Sequence, residues 1–287
     1  MDSLQISLPA KINRTLYITG YDEKAKLHTL DSEFCAISLS DFLHITKIAD
    51  RKIKISVSGP FAKGVPNNEH NSMYKMAKAF FAAHGFSFGI EIHLVKNIPH
   101  QAGLGGGSSD AAGVLRALEY FASSGKDQGI KNEDIIPLFS LPPNERKTPL
   151  SAICAVGNDI PFFLGNTPQA RVQGFGEIIS PSTLPTPASY GILIFNPRIT
   201  VATAWAYHQF ATTKESHSAQ KYQNDFEPVI FSHFPDLGEW KNALVEHGAK
   251  EAGLTGSGSG IFGLFETEKE LKNALKLFPD GIVFYPL

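Results

Sequence analysis

The run Gly103-Leu-Gly-Gly-Gly-Ser-Ser109 lies between two segments of opposite periodicity, and that placement constrains the chain more than any other feature. Before it, Gly89-Ile-Glu-Ile-His-Leu-Val95 alternates apolar with polar residues, the pattern of a strand with one buried face. After it, Ala111, Val114, Leu118 and Phe121 recur at helical spacing. The spacing predicts a helix over 110–123 that Ser108 or Ser109 caps and whose dipole Asp110 complements. A glycine turn entering a helix gathers unhindered N–H groups at the positive end of the dipole, which is a phosphate-binding geometry. The same glycines also suit a tight turn that binds nothing. No Gly-Lys-Ser/Thr follows, so this is not a Walker loop, and it is not the dinucleotide fingerprint.

Three further stretches stand out. In Leu8-Pro-Ala-Lys-Ile-Asn13, at the head of an alternating segment, Lys11 and Asn13 are two residues apart and project to one face of a strand. Taken alone, Lys11 reads as a solvated edge residue. Val156-Gly-Asn-Asp-Ile-Pro-Phe-Phe-Leu164 sets Asp159 after a short helix-like segment over 150–155, where it either turns the chain or takes part in chemistry. Leu254-Thr-Gly-Ser-Gly-Ser-Gly-Ile-Phe-Gly-Leu264 is a second glycine-rich turn entering an apolar strand, and by itself reads as a hairpin.

In this order and spacing, from Pro9 to Leu264, the four motifs resemble those of the GHMP superfamily of small-molecule kinases. The resemblance implies an α+β, two-domain GHMP kinase fold. An ATP-binding N-terminal domain of mixed strands and helices would cover 1–165, and a smaller C-terminal α/β-layer substrate domain 166–287. It implies ATP and Mg²⁺ as cofactors and phosphoryl transfer to the hydroxyl of a small-molecule substrate. By matching position, Gly103, Leu104, Gly105, Gly106, Gly107, Ser108 and Ser109 hold the phosphates, and Asn71, Ser72 and Lys96 lie near the nucleotide. Asp159 would accept the hydroxyl proton, and Lys11 would keep Asp159 ionised and steady charge on the acceptor oxygen. A lysine so placed also weakens the carboxylate as a base, which gives Asp159 an orienting role as well. No protein side chain is assigned to the metal.

One branch of this family phosphorylates a cytidine diphosphate alcohol on the non-mevalonate route to isoprenoid precursors, and the match is to that branch. Asn13, Leu27, His28, Thr203 and Tyr207 fall at its substrate-binding positions. The family there carries a tyrosine–histidine pair, the tyrosine stacking on the cytosine and the histidine hydrogen-bonding to it. Here Ala25-Lys-Leu-His-Thr-Leu30 keeps His28 but has Leu27 for the tyrosine, so a stacking face is lost. Tyr207 would be the second wall, with Thr203 beside the diphosphate; without the family, Trp205 and Tyr207 read equally well as core residues of an amphipathic helix. Arg14 replaces an apolar residue, and the polar, proline-rich stretch 141–149 reads as an exposed insert. Two other readings stay open. One is a GHMP kinase for another alcohol, of homoserine or mevalonate type, which would not need His28. The other is a non-catalytic nucleotide or metabolite sensor on the same fold, against which the retained Lys11, Asp159 and glycine loop argue.

Composition agrees with a kinase of this kind. A chain of 287 residues exceeds one ordinary core and suggests two domains. Hydrophobic residues at 43% and charged residues at 19% describe a globular protein. A formal net charge of −2 supplies no field for nucleic acid or an anionic membrane. Cys35 and Cys154 belong to no metal-binding spacing and read as core residues. No targeting or membrane-spanning segment is recognisable, so the expectation is a cytoplasmic enzyme, a monomer or weak homodimer. Strands are predicted over 5–20, 34–47, 52–58, 90–95 and 190–195, and helices over 72–84, from 202 onward, and over 234–247.

Overall fold

The computed structural model describes residues 2–85, 87–122, 134–141, 148–196, 198–212 and 223–287, so most of the 141–149 insert lies outside the described residues. The chain forms two compact units. The first comprises Met1–Ala10, Ser40–His100 and Gly105–Pro168, and the second Lys11–Leu39, Gln101–Leu104 and Gln169–Leu287. The strands β1 (Ser3–Asp22) and β2 (Leu27–Ile48) supply residues to both.

In the first unit, the strand order is β3 (Ile53–Ser58), β4 (Gly89–Val95), β2, β1 and β5 (Ile135–Pro137). The β4 strand runs antiparallel to Phe42–Ile48 of β2 and parallel to β3. Its inward residues Ile90, Ile92 and Leu94 are fully buried, as the alternation predicts. Helix α1 (Ser72–His84) begins where the Asn71 side chain accepts from the Met73 N–H at 2.8 Å, buries Met73, Met76, Ala77 and Phe80, and stops at Gly85, which has φ +66°. Helix α2 (Gly106–Ala122) packs beside α1 and is buried almost all round from Ser109 to Glu119. It is a central helix rather than a surface one, and Gly113 has no side chain because a Cβ would stand 2.3 Å from Leu8. Short helices α3 (Leu150–Cys154) and α4 (Ile160–Phe163) complete the unit.

In the second unit, β6 (Gln169–Gly174) pairs with Leu30–Cys35 of β2, and β7 (Ile178–Pro181) pairs with β6. A separate antiparallel sheet contains β8 (Tyr190–Ile194), β9 (Glu251–Leu254), β10 (Ile261–Phe265) and β11 (Ile282–Phe284), in the order β11-β8-β10-β9. Helices α5 (Thr203–Thr212), α6 (Glu227–His233), α7 (Pro235–Glu246) and α8 (Glu268–Leu277) complete this unit. Its core joins Ile192, Phe226, Leu237, Leu254 and Phe265. Mixed sheets with helices make the fold α+β.

Two local expectations change. The α2 helix begins four residues early, inside the glycine run, because Gly105 O already accepts from Ser108 N at 3.0 Å and Ser109 N at 2.9 Å. Ser108 and Ser109 are therefore first-turn residues, and Gly105, with φ +66°, occupies the cap. The β2 strand starts at Leu27, seven residues before the predicted start, and from Leu30 onward pairing to β6 holds a stretch that shows no alternation of its own. Cys35 is buried, and burial pushes its thiol up to about 12, whereas Cys154 is only half-buried. Arg14 is buried and forks onto Glu251 through Nε at 2.9 Å and Nη2 at 2.5 Å, with Nη1 donating to Pro185 O. That carboxylate lets a cation occupy an apolar position.

Candidate active site

In the first unit, the chain places the glycine turn at the head of α2. The N–H groups of Gly106 and Gly107 precede the first intrahelical bonds, which begin at Ser108 and Ser109, so the helix's leading donors and positive end lie on this backbone. Ser72, the first residue of α1, donates its hydroxyl to Gly107 O at 2.7 Å. A Cβ on Gly107 would stand 3.5 Å from that hydroxyl, and one on Gly106 would stand 2.9 Å from Lys96 Nζ. Asn71 supports the turn indirectly: its amide caps α1 and donates to Pro66 O at 2.6 Å.

Lys96 is buried, only 3% exposed. Its ammonium pairs with Asp41 and, at 2.8 Å, with Asp110. Asp110 thus serves this pair, not a solvent-facing dipole contact. Burial pushes the Asp110 carboxyl up to about 7; Lys96 pulls against that rise and Asp41 adds to it. Burial works against the Lys96 charge, yet its two carboxylate partners raise its pKa overall. Asp41 Oδ1 also accepts from the N–H groups of Asn97 and Ile98, at 2.5 and 2.8 Å. Asp41 therefore fixes the chain leading into the glycine turn. Nothing near it in sequence marks this role, since its partners lie 55 to 57 residues away.

Asp159 immediately precedes α4, is half-buried and makes no capping hydrogen bond to that helix. Gly157, two residues earlier, lies against the glycine turn, where a Cβ would stand 3.1 Å from Ser108 Oγ. The missing side chain is what lets the Gly-Asn-Asp segment approach the start of α2. Ser109 Oγ and Asp110 Oδ1 are buried without a hydrogen-bond partner.

In the second unit, a separate cluster surrounds Lys11. This lysine is 3% exposed, not a solvated edge residue; its ammonium donates to Asn13 Oδ1 and lies 4.5 Å from the centre of the Phe34 ring. Asn13 Oδ1 also accepts from Gly256 N at 2.8 Å, and its amide donates to Ser32 Oγ at 2.9 Å. Thr255 donates to Gly103 O at 3.0 Å and accepts from Asn13 N at 3.2 Å. The second glycine motif thus packs against the first: a Cβ on Gly103, at φ +74°, would stand 1.9 Å from Thr255 O. This close approach alone accounts for glycine at 103. Leu104 is buried, and its carbonyl accepts from Lys11 N at 2.9 Å. Sequence reasoning missed Ser32 and Thr255, whose partners are remote along the chain.

A cleft of about 380 Å³ opens in the same unit, lined by Gln101, Gly103, Val201, Thr203, Ser257 and neighbouring residues. That volume suits a small ligand. Thr203 Oγ1 and Ser257 Oγ are 3.1 Å apart in its wall. Further along α5, the Tyr207 ring packs edge-on against Phe226, with centroids 4.9 Å apart, and lies flat against His28 at 4.8 Å and 12°. Trp205 is edge-on to His233 instead. Leu27 is exposed.

The first unit thus holds a helix start with free leading N–H groups, and the second a buried lysine–asparagine strand face beside two interlocking glycine turns. The family model for the GHMP kinases N terminal domain matches residues 71–146, and that for GHMP kinases C terminal matches residues 213–278. With a relative 32% identical across 96% of its length as well, the chain belongs to the GHMP kinase family. That relative, from Prosthecochloris aestuarii, is named 4-diphosphocytidyl-2-C-methyl-D-erythritol kinase and is covered over 93% of its own length. A crystal structure of 4-(cytidine 5'-diphospho)-2C-methyl-D-erythritol kinase matches with a TM-score of 0.74 at 26% identity, covering 99% of both chains. A homoserine kinase from Cytophaga hutchinsonii shares the fold, with a TM-score of 0.66 at 17% identity over 100% of this chain and 95% of that one. Among the described residues, no helix is long and apolar enough to cross a membrane.

Proposed function

We propose that this chain transfers the γ-phosphoryl group of ATP to the 2-hydroxyl of 4-diphosphocytidyl-2-C-methyl-D-erythritol, a step of the non-mevalonate route to isoprenoid precursors. The observation that carries the reading is near-complete alignment with a relative of that name, 32% identical over 96% of the chain. The homoserine kinase likeness is one of fold alone. In this reading 1–165 is the ATP-binding domain and 166–287 the C-terminal substrate domain of a cytoplasmic monomer or weak homodimer.

Phosphoryl transfer passes through a loose transition state, so the protein's work is positioning and charge neutralisation. The backbone from Gly103 to Ser109 holds the phosphates, with Gly106 and Gly107 N–H groups as leading donors. Ser72 steadies Gly107, while Asn71 and Lys96 act on the nucleotide through the turn they support. Unpartnered oxygens on Ser109 and Asp110 fit a site whose polar complement comes with the ligand. Mg²⁺ bound with ATP supplies charge neutralisation at the phosphates. Asp159 takes the hydroxyl proton, and Lys11, held by Asn13, steadies charge on the acceptor oxygen. Thr203 lies beside the diphosphate, and His28 and Tyr207 recognise the base.

Incubation of the purified chain with ATP, Mg²⁺ and a panel of alcohols, following ADP release, tests this. Turnover of the cytidine diphosphate alcohol with none of homoserine or mevalonate supports the assignment, and the reverse pattern overturns it.

A further inference from the structure

The Tyr21 ring is 48% exposed beside the tip of the β1–β2 hairpin and so gains little from the core. It is nevertheless set in a built turn. Asp22 Oδ1 accepts from the N–H groups of Lys24 and Ala25, each at 2.8 Å, and Asp22 O accepts from Lys26 N at 2.8 Å. Thr19 and Thr29 keep the register that this turn starts, with hydroxyls 3.0 Å apart. Continued between them, that register puts Tyr21 across the hairpin from Leu27. The ring centroid of Tyr21 is 4.9 Å from that of His28, which in turn lies flat on Tyr207 at 4.8 Å. Two tyrosines from different parts of the chain therefore both contact the imidazole, which is itself a thin planar nitrogen heterocycle.

We propose that Tyr21 is a specificity-determining residue of the substrate site, offering with Tyr207 an aromatic surface for the planar base of a nucleotide. The inference rests on the reading under which the acceptor carries a cytidine diphosphate. Tyr207 presents to His28 the face that a base would use, so a bound base takes the place of the imidazole, and His28 turns its ring edge toward the base's polar groups. Leu27 then need not be aromatic, because the ring is supplied from the opposite strand of the same hairpin. The stacking face absent at residue 27 is moved rather than lost.

The test is a set of variants at the hairpin, with CDP binding by calorimetry and steady-state kinetics on the cytidine diphosphate alcohol as readouts. Loss of a stacked base contact corresponds to about tenfold or more in affinity. Tyr21→Leu should weaken CDP binding and raise KM for the alcohol by that factor, leaving kcat and KM for ATP unchanged, because stacking is uniform between ground and transition states. Tyr21→Phe should behave as the parent. Leu27→Tyr placed in the Tyr21→Leu background should restore affinity, which a merely structural role for Tyr21 would not do. If CDP binds the parent and Tyr21→Leu equally, the role of Tyr21 is overturned while the cytidine reading stands. If CDP does not bind the parent and the alcohol is not turned over, both fall.

Discussion

Lys96 donates to Asp110 at 2.8 Å while also holding Asp41, so one buried cation serves two buried acids at the entrance to the glycine turn. Two carboxylates and one ammonium cannot all be charged there without excess negative charge, and Asp110 bears that conflict.

The consequence is a pH dependence of stability. Asp110 titrates at about 7 in the folded chain against an ordinary value of 3.8, so the native state holds its proton more tightly than the unfolded state does. Its contribution is fully present below about pH 4 and is lost as pH rises through about 7. Asp110→Asn cannot ionise, so the Tm difference between variant and parent should shift in the variant's favour from pH 5 to pH 8. Glu119, which burial also pushes up to about 7, acts equally in both proteins and cancels from the comparison. A pH-independent difference in thermal melts would refute the proton on Asp110.

At Gly106, a Cβ would stand 2.9 Å from Lys96 Nζ and 3.1 Å from Ile98 Cγ2, beside the leading N–H of α2. The Gly106→Val substitution should cut ATP affinity about tenfold, or ~1.4 kcal/mol, by displacing the backbone from the anion. Calorimetry with ATP on a folded variant measures this, and unchanged binding would remove the turn from the nucleotide site.

Asn13 ties Lys11 to the second glycine motif, since its one carboxamide oxygen accepts from both the lysine and Gly256 N. Asn13→Leu leaves two buried donors without that acceptor and should cost about 1–3 kcal/mol of stability, with kcat reduced as Lys11 loses its anchor. Asn13→Asp keeps the acceptor but faces Ser32 Oγ, whose own proton goes to Thr15 O, with a carboxylate instead of a donor. It should therefore be destabilised too. Chemical denaturation of both variants decides; stability equal to the parent in both would show the network to be dispensable.

What the sequence made legible follows the range of each interaction. The α1 helix could be placed over its full length because its cap, its apolar stripe and its terminating glycine are local signals. The shared face of Lys11 and Asn13 follows from strand alternation alone. Asp41 could not be found, because its value lies in accepting from Lys96, Asn97 and Ile98 across a sheet. The contact of Tyr21 with His28 escaped for a different reason: a position-by-position reading attends to residue 27, and a hairpin can bring an aromatic from the facing strand. The early start of α2 was hidden by glycines, which have low helix propensity and enter a helix here only because Gly105 closes the cap.

Asp159 carries the most direct test of the proposed proton transfer. Its position before α4 is one where an aspartate commonly caps a helix, yet its side chain makes no capping bond there. Asp159→Asn therefore removes a charge and a proton acceptor without removing a cap, and its thermal melt is recorded beside the parent's so that kcat is compared between folded proteins. Under the proposed role, kcat should fall by roughly two orders of magnitude or more, because a neutral amide cannot take the acceptor's proton. ATP affinity should hold, since the phosphate turn is untouched. The paired measurements are single-turnover phosphorylation and ATP calorimetry on a variant shown to melt like the parent. A folded Asp159→Asn protein that retains full kcat would assign proton transfer elsewhere and leave this carboxylate with an orienting role at most.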